Sequence, residues 1–488
     1  MIIGILISVP LIFSLLLFAM KDNTIWNKRI ALSASLFTFV LSVVILFRFY
    51  SDPGAFPAFH PGFFHALGIE FALAFNGLSM LLVLLTTFLF PLIIYSGFGG
   101  IVIRRNSFYA LMLLMEMALI GVFTSTDVLL FYIFWELALI PIFFIAILWG
   151  GQNARAITFK FFIYTLVGGL LMLAAIVFIY SQTPPPHSFS FSTFYKMMID
   201  PYHQKWLLLA FFLAFAIKIP IFPFHTWQPD LYSTAPTQGT MLLAGIMLKM
   251  GVYGLFRFVL PLFPDALNEF GLVAILLSVT GIIYASVIAI RQNELKRLIA
   301  YSSLAHVGLI AAGVFSRTFN GMEGAMIQMI SHGVNIVGLF FCYEIIVRRT
   351  QTGVISSLGG IASQAPVFAA FFMVIMLGSI SLPLTNSFIG EFLLLLGLFE
   401  YNAFIAAIAG LTIILGAVYM LWMYQRTMYG NVSEATAGFK DLTRQEIIVL
   451  VPIVAVILWI GIYPQLFLNI AEPAVRYLGS VTLRIIDY

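Results

Sequence analysis

Apolar runs of about twenty residues, each long enough to cross a bilayer as a helix, follow one another along this chain of 488 residues. Fourteen can be marked, beginning near residues 2, 30, 72, 107, 127, 155, 206, 237, 270, 296, 321, 366, 403 and 447. Only 9% of the residues are charged, 62% are hydrophobic and the mean hydropathy is +1.05, whereas roughly a quarter of a soluble domain is charged. The pattern specifies an all-α polytopic membrane protein with about 14 transmembrane helices.

The same composition excludes several functions. A single cysteine, Cys342, rules out a disulfide framework, a cysteine-ligated iron-sulfur cluster and a CxxC redox pair. The net charge of +4 is spread over loops, so nucleic acid is not an expected partner and the lipid bilayer is. Residues 1 to 20 are apolar and no small-residue cleavage site precedes Lys21, so the first run reads as a span. Alternate loops carry fifteen lysines and arginines on one side, among them Lys21, Arg104, Arg291 and Arg348, against seven on the other. The positive-inside rule puts the first set in the cytoplasm and both termini outside. The longest stretches between runs, 51 to 70 and 182 to 204, then lie outside, and 224 to 236 lies inside.

One run contains a charge that lipid does not tolerate. Lys218 sits in Phe215-Ala216-Ile217-Lys218-Ile219-Pro220-Ile221-Phe222-Pro223, where an amine at mid-bilayer costs from about 3 kcal/mol upward and so marks a hydrated path or a partner. The two prolines remove backbone donors, which predicts a broken helix lined by protein or water. A second proline break, Ser379-Ile380-Ser381-Leu382-Pro383, precedes Glu391. Spans four to eight and nine to thirteen each have a broken, ionisable fourth member. The charge lies at offsets of 111 residues (107 to 218) and 121 (270 to 391). An odd number of helices makes the second group enter from the opposite side, which is the pattern of an inverted repeat. The expected organisation is three N-terminal helices in 1–106, a five-helix repeat in 107–265, its inverted copy in 266–430, and a loop with the last span in 431–488.

At 1.5 Å rise per residue, Glu136 lies about 13 Å from its helix end, Lys218 about 20 Å, Lys249 and His332 about 16 Å and His306 about 15 Å. These residues come from five different runs and cluster near the midplane of a core about 30 Å thick. Burial brings amines and carboxyls toward a common range in which they exchange protons, and imidazole starts there. Glu136, Lys218, Lys249, His306, His332 and Glu391 are therefore candidate members of a proton relay. Glu116, inside the fourth span, is a further buried acid, and Ser302 and Ser303 are placed to order water beside His306. An axial haem between His306 and His332 is the alternative use of two imidazoles.

Phe134-Trp135-Glu136, Lys218-Ile219-Pro220 continuing to Pro223-Phe224-His225-Thr226-Trp227-Gln228-Pro229-Asp230, and Tyr301-Ser302-Ser303-Leu304-Ala305-His306 resemble the antiporter-like subunits of respiratory complex I over nearly the whole chain. The family also includes subunits of multisubunit sodium/proton antiporters and of membrane-bound hydrogenases, the alternative reading. The resemblance implies fourteen helices with two inverted five-helix repeats. It makes Glu136 and Lys218 an acid and amine pair, Lys249 a central relay, His306 and His332 part of a hydrated axis, and Glu391 the residue of the second broken helix. It implies no cofactor in this chain, with NADH, FMN, iron-sulfur clusters and quinone in partner subunits. It also implies other membrane-arm subunits, antiporter-like ones included, as partners in a bacterial plasma membrane. Several relatives carry lysine at the second break; the glutamate, and a C-terminus at Tyr488 without a long lateral helix, mark one subunit type within the family.

Overall fold

A computed structural model describes residues 2–23, 25–51, 59, 70–100 and 103–483. Most of the expected 51–70 stretch, and Arg484 among the outer cations, lie outside the described residues. In chain order the long helices are α1 (Ile2–Ala19), α2 (Trp26–Ser51), α3 (Gly77–Ser96), α4 (Arg105–Thr124), α5 (Val128–Trp149), α6 (Ala154–Gln182) and α7 (Pro201–Lys218). The short α8 (Gln228–Thr234) leads to α9 (Thr237–Leu262), α10 (Pro264–Arg291), α11 (Leu295–Phe315), α12 (Phe319–Thr350) and α13 (Pro366–Ser379). Then come α14 (Asn386–Tyr401), α15 (Ala403–Met428), α16 (Arg444–Ile462) and α17 (Gln465–Leu483). Twelve helices of the described residues are long and apolar enough to cross a membrane. The chain is thus an all-helical, multi-pass membrane protein. The helices α7 and α13, which run into the two proline breaks, stand outside that twelve.

Helix ends follow local chemistry. Asn76 caps α3 by accepting from the Ser79 N–H, Asp127 caps α5 through Leu130, and Thr443 with Glu446 forms a capping box on α16. Inside α5 the helix pauses at Ala138. Pro141 lies three residues on and has no N–H for the Leu137 carbonyl. The pause therefore falls two residues after Glu136.

The chain forms two compact units. The first takes the described residues up to Ile219, Ile246–Leu272, and those from Ile470 onward. In it α1 packs on α2 and α4, α3 on α2 and α4, and α6 on α5 and α7; the second half of α9 packs on α7 and α4. Hydroxyls join its helices: Ser42 and Thr87 are 2.7 Å apart, and Ser35 donates to Glu116 Oε1 at 3.1 Å. The helix α17 extends the fold past the last apolar run, where the spacing of apolar residues marked no further element. Its buried residues Ile470, Ala471, Val475 and Leu478 fall on one face, while Tyr477 is exposed. Glu472 and Arg476 pair on the polar side, so it is amphipathic and escapes a search for apolar runs.

The second unit takes Pro220–Gly245 and Val273–Asn469. Its centre is α12, which contacts α11, α13, α14 and α16. The approach of α12 to α14 is set by glycine. A Cβ at Gly324 would lie 2.6 Å from the Leu394 nitrogen, and one at Gly397 would overlap the backbone of Gly321. Small residues at crossing points let backbones meet, which in lipid is a main source of helix association.

Candidate functional site

The six candidate residues divide between the units: Glu136, Lys218 and Lys249 in the first, His306, His332 and Glu391 in the second. Each set stands beside one of the breaks. In the first, α7 stops at Lys218 and the next helix begins at Gln228. In the second, α13 stops at Ser379 and α14 begins at Asn386, with Ser381 and Leu384 in left-handed backbone at φ of 60° and 73°. Left-handed φ at two non-glycine residues is strain of the kind that collects at functional sites.

In the first unit the Lys218 side chain is 1% exposed and its Nζ makes no hydrogen bond. It lies 5.0 Å from the centroid of the Trp135 ring, over the indole face. Trp135 is held edge to face by Phe215, one turn before Lys218, at 5.6 Å. Glu136 projects from the next position of α5, and its Oε1 also lacks a hydrogen-bond partner. It rests against Gly169 of α6, where a methyl group would overlap that oxygen. The acid and amine are electrostatic neighbours, yet they do not hydrogen-bond. Lys249, 1% exposed, sits on α9 between two π-helical segments, Leu243–Met247 and Leu255–Val259. Such widened turns are frequent at functional sites. Two residues later, a Cβ at Gly251 would lie 3.3 Å from the Lys218 Cβ, so this part of α9 packs closely on the end of α7.

In the second unit the acid is directly engaged. His306 Nδ1 is 2.8 Å from Glu391 Oε1, and Gln328 Nε2 donates to the same oxygen at 3.3 Å. Glu391 is 2% exposed. The His306 Nδ1–H is the donor if the carboxylate is ionised, leaving Nε2, which has no partner, as the free end. His332 Nε2 lies 3.0 Å from Ser303 Oγ, and the two imidazole centroids are 6.1 Å apart. Tyr419 donates to Ser302 at 3.3 Å. A cavity of about 10 Å³ lined by His306, His332, Gln328, Asn335 and Ser302 lies among them. That volume suits about one water and is far too small for a haem macrocycle.

Residue type alone did not single out Gln328, Asn335, Tyr419 or Gly169. Gln328 and Asn335 had a usable signal: they lie four residues before and three after His332, hence on its face of α12. Gly169 had none, since its role depends on which side chain arrives opposite it. The alternative of an axial haem is not supported, because the space beside the two imidazoles is too small for the macrocycle. Among the described residues no group of three or more histidine, cysteine, aspartate or glutamate side chains could hold a metal ion.

A multi-pass helical protein that shelters acids, amines and imidazoles beside two broken helices has the features of the membrane ion translocators. The profile of the family described as NADH:quinone oxidoreductase/Mrp antiporter, TM, matches residues 125–457. The chain is 42% identical over 487 residues to NADH-quinone oxidoreductase subunit M of Rickettsia conorii, covering 98% of each chain. It is 38% identical to NADH-ubiquinone oxidoreductase chain 4 of Marchantia polymorpha, covering 97% of this chain and 96% of the relative. It superposes on a chain of respiratory complex I from Thermus thermophilus with a TM-score of 0.91 and 30% identity, over 99% of this chain and all of that one. The chain belongs to the NADH:quinone oxidoreductase/Mrp antiporter family of membrane subunits.

Proposed function

We propose that this chain is the M-type membrane-arm subunit of a proton-translocating NADH:quinone oxidoreductase, in a bacterial plasma membrane with both termini outside. In this reading it works beside other antiporter-like subunits, two inverted five-helix repeats carry its two sites, and NADH, FMN, iron-sulfur clusters and quinone belong to partners. The reading draws support from full-length similarity to relatives named subunit M and from the chemistry of the two buried sets. The observation that carries it is an unbonded pair beside a broken helix, the buried Lys218 amine and the half-buried Glu136, whose Oε1 is itself buried without a partner. A merely structural pair would close into a salt bridge, because an isolated buried charge is costly.

Quinone reduction in a partner alters charge and hydration along the arm, and the relay answers by moving protons. An ammonium at Lys218 passes its proton to Lys249. The imidazoles of His332 and His306 receive it next, the latter through the nitrogen opposite its carboxylate bond. Glu391 holds the imidazolium while it forms and accepts the proton for release. No electron passes through these residues.

The test is Lys218→Ala and Glu136→Ala in the assembled complex in membrane vesicles. Each should leave NADH oxidation by an artificial acceptor intact while lowering proton pumping by about tenfold or more. Full pumping in both variants would remove the pair from the mechanism.

A further inference from the structure

Beyond the relay itself, the surroundings of its first two members show how they are kept from each other. Lys218 is buried and Glu136 half-buried, and as ammonium and carboxylate the two would close onto each other. Each instead has a separate seat. The Lys218 ammonium lies over the indole of Trp135 at 5.0 Å, where the negative face of the ring attracts a cation. The indole is itself 1% exposed and braced by Phe215 and by Phe131, whose ring centroid is 5.8 Å away. The Glu136 carboxylate fills the notch left by the missing side chain of Gly169. The neighbouring Gly168 serves another end, since a Cβ there would lie 3.1 Å from Ala214 Cα; it sets the approach of α6 to α7.

We propose that Trp135 and Gly169 are positioning residues that hold Lys218 and Glu136 apart, so that the separated pair is a resting state from which the lysine proton can leave. The proposal rests on the relay reading above. Without the indole, the ammonium falls onto the carboxylate and its proton is locked in a buried ion pair. Without the notch, the carboxylate is driven out of its seat and the same pair closes from the other side.

The experiment uses the assembled complex in vesicles. Gly169→Ala should lower pumping per NADH by about tenfold or more, as a displacement of an ångström or so at a reacting group does. Glu136→Asp alone should also lower it, because the shorter acid no longer fills the notch. The double variant Gly169→Ala/Glu136→Asp should recover to within about twofold of wild type, since the shorter carboxylate fits the narrowed seat. A purely structural glycine gives no such rescue, so a double variant as poor as Gly169→Ala overturns the proposal. At the other seat, Trp135→Phe should keep most pumping and Trp135→Leu should lose it. Equal activity of the two sinks the indole's part, and these variants decide the matter if Gly169→Ala fails to assemble. Independently of turnover, the infrared carboxyl band of Glu136 should shift in Gly169→Ala; an unmoved band overturns the notch. Full pumping by Glu136→Ala in the wild-type background would instead refute the relay reading.

Discussion

At the scale of single residues, the two sets solve the same problem by different means. Glu391 is satisfied by hydrogen bonds from His306 and Gln328, whereas Lys218 is stabilised by an aromatic face and Glu136 by space. A bonded acid is held in place, and an unbonded one is free to change partner. Removing the His306 bond should therefore cost stability as well as function. His306→Ala should lower the stability of the purified complex by about 2 kcal/mol, the usual worth of a hydrogen bond to a charged group, read as a fall in thermal midpoint. Ser303→Ala, which loses a neutral bond to His332, should cost about 1 kcal/mol or less.

At the scale of elements, the placement of charge follows helix polarity. Lys218 is the last residue of α7, where the carbonyl end of the helix favours a cation. Glu391 follows the second break, in the second turn of α14, toward the end that favours an anion. Helix contacts are equally specific. Gly324→Val would push a branched side chain into the backbone of α14, and overpacking of that kind costs about 1–3 kcal/mol. It should show as reduced complex on a native gel. Gly271→Ala, which meets no atom within 4 Å, should leave the yield unchanged. The amphipathic α17 docks on the start of α3, where a Cβ at Gly77 would overlap the carbonyl of Ile470. Ile470→Asp buries a charge on its apolar face and should expose the C-terminal segment to limited proteolysis, with wild-type complex as the resistant reference.

At the scale of the whole molecule, the proposed relay is a series, and a series has one throughput. Lys218→Ala and Glu391→Ala together should pump no worse than the poorer single variant, the behaviour of residues acting as one unit. Losses that multiply would mean two independent paths. Much of this was legible in the chain before any coordinate. Runs of apolar residues fix helices because lipid leaves the backbone no other partner. The lysine at 218 and the prolines at 220 and 223 announce a break, because neither belongs in an unbroken span. The amphipathic α17 was not legible by the same reasoning, since Pro473 and its charged face remove the apolar run. Gln328 lay in plain view on the face of His332, but a glutamine in a membrane helix has many uses, and only the arrival of Glu391 opposite it selects one.

The sequence by itself determined that this is a many-spanning helical membrane protein, and which acids, amines and imidazoles it must shelter from lipid. These follow from the energy of transferring one residue at a time. Only the tertiary structure decided that His306 bonds Glu391, that Ser303 bonds His332, and that Lys218 rests on Trp135 while Glu136 occupies the space of Gly169. Those outcomes depend on distances between helices far apart in the chain. A glycine or tryptophan acquires its meaning there from what packs against it.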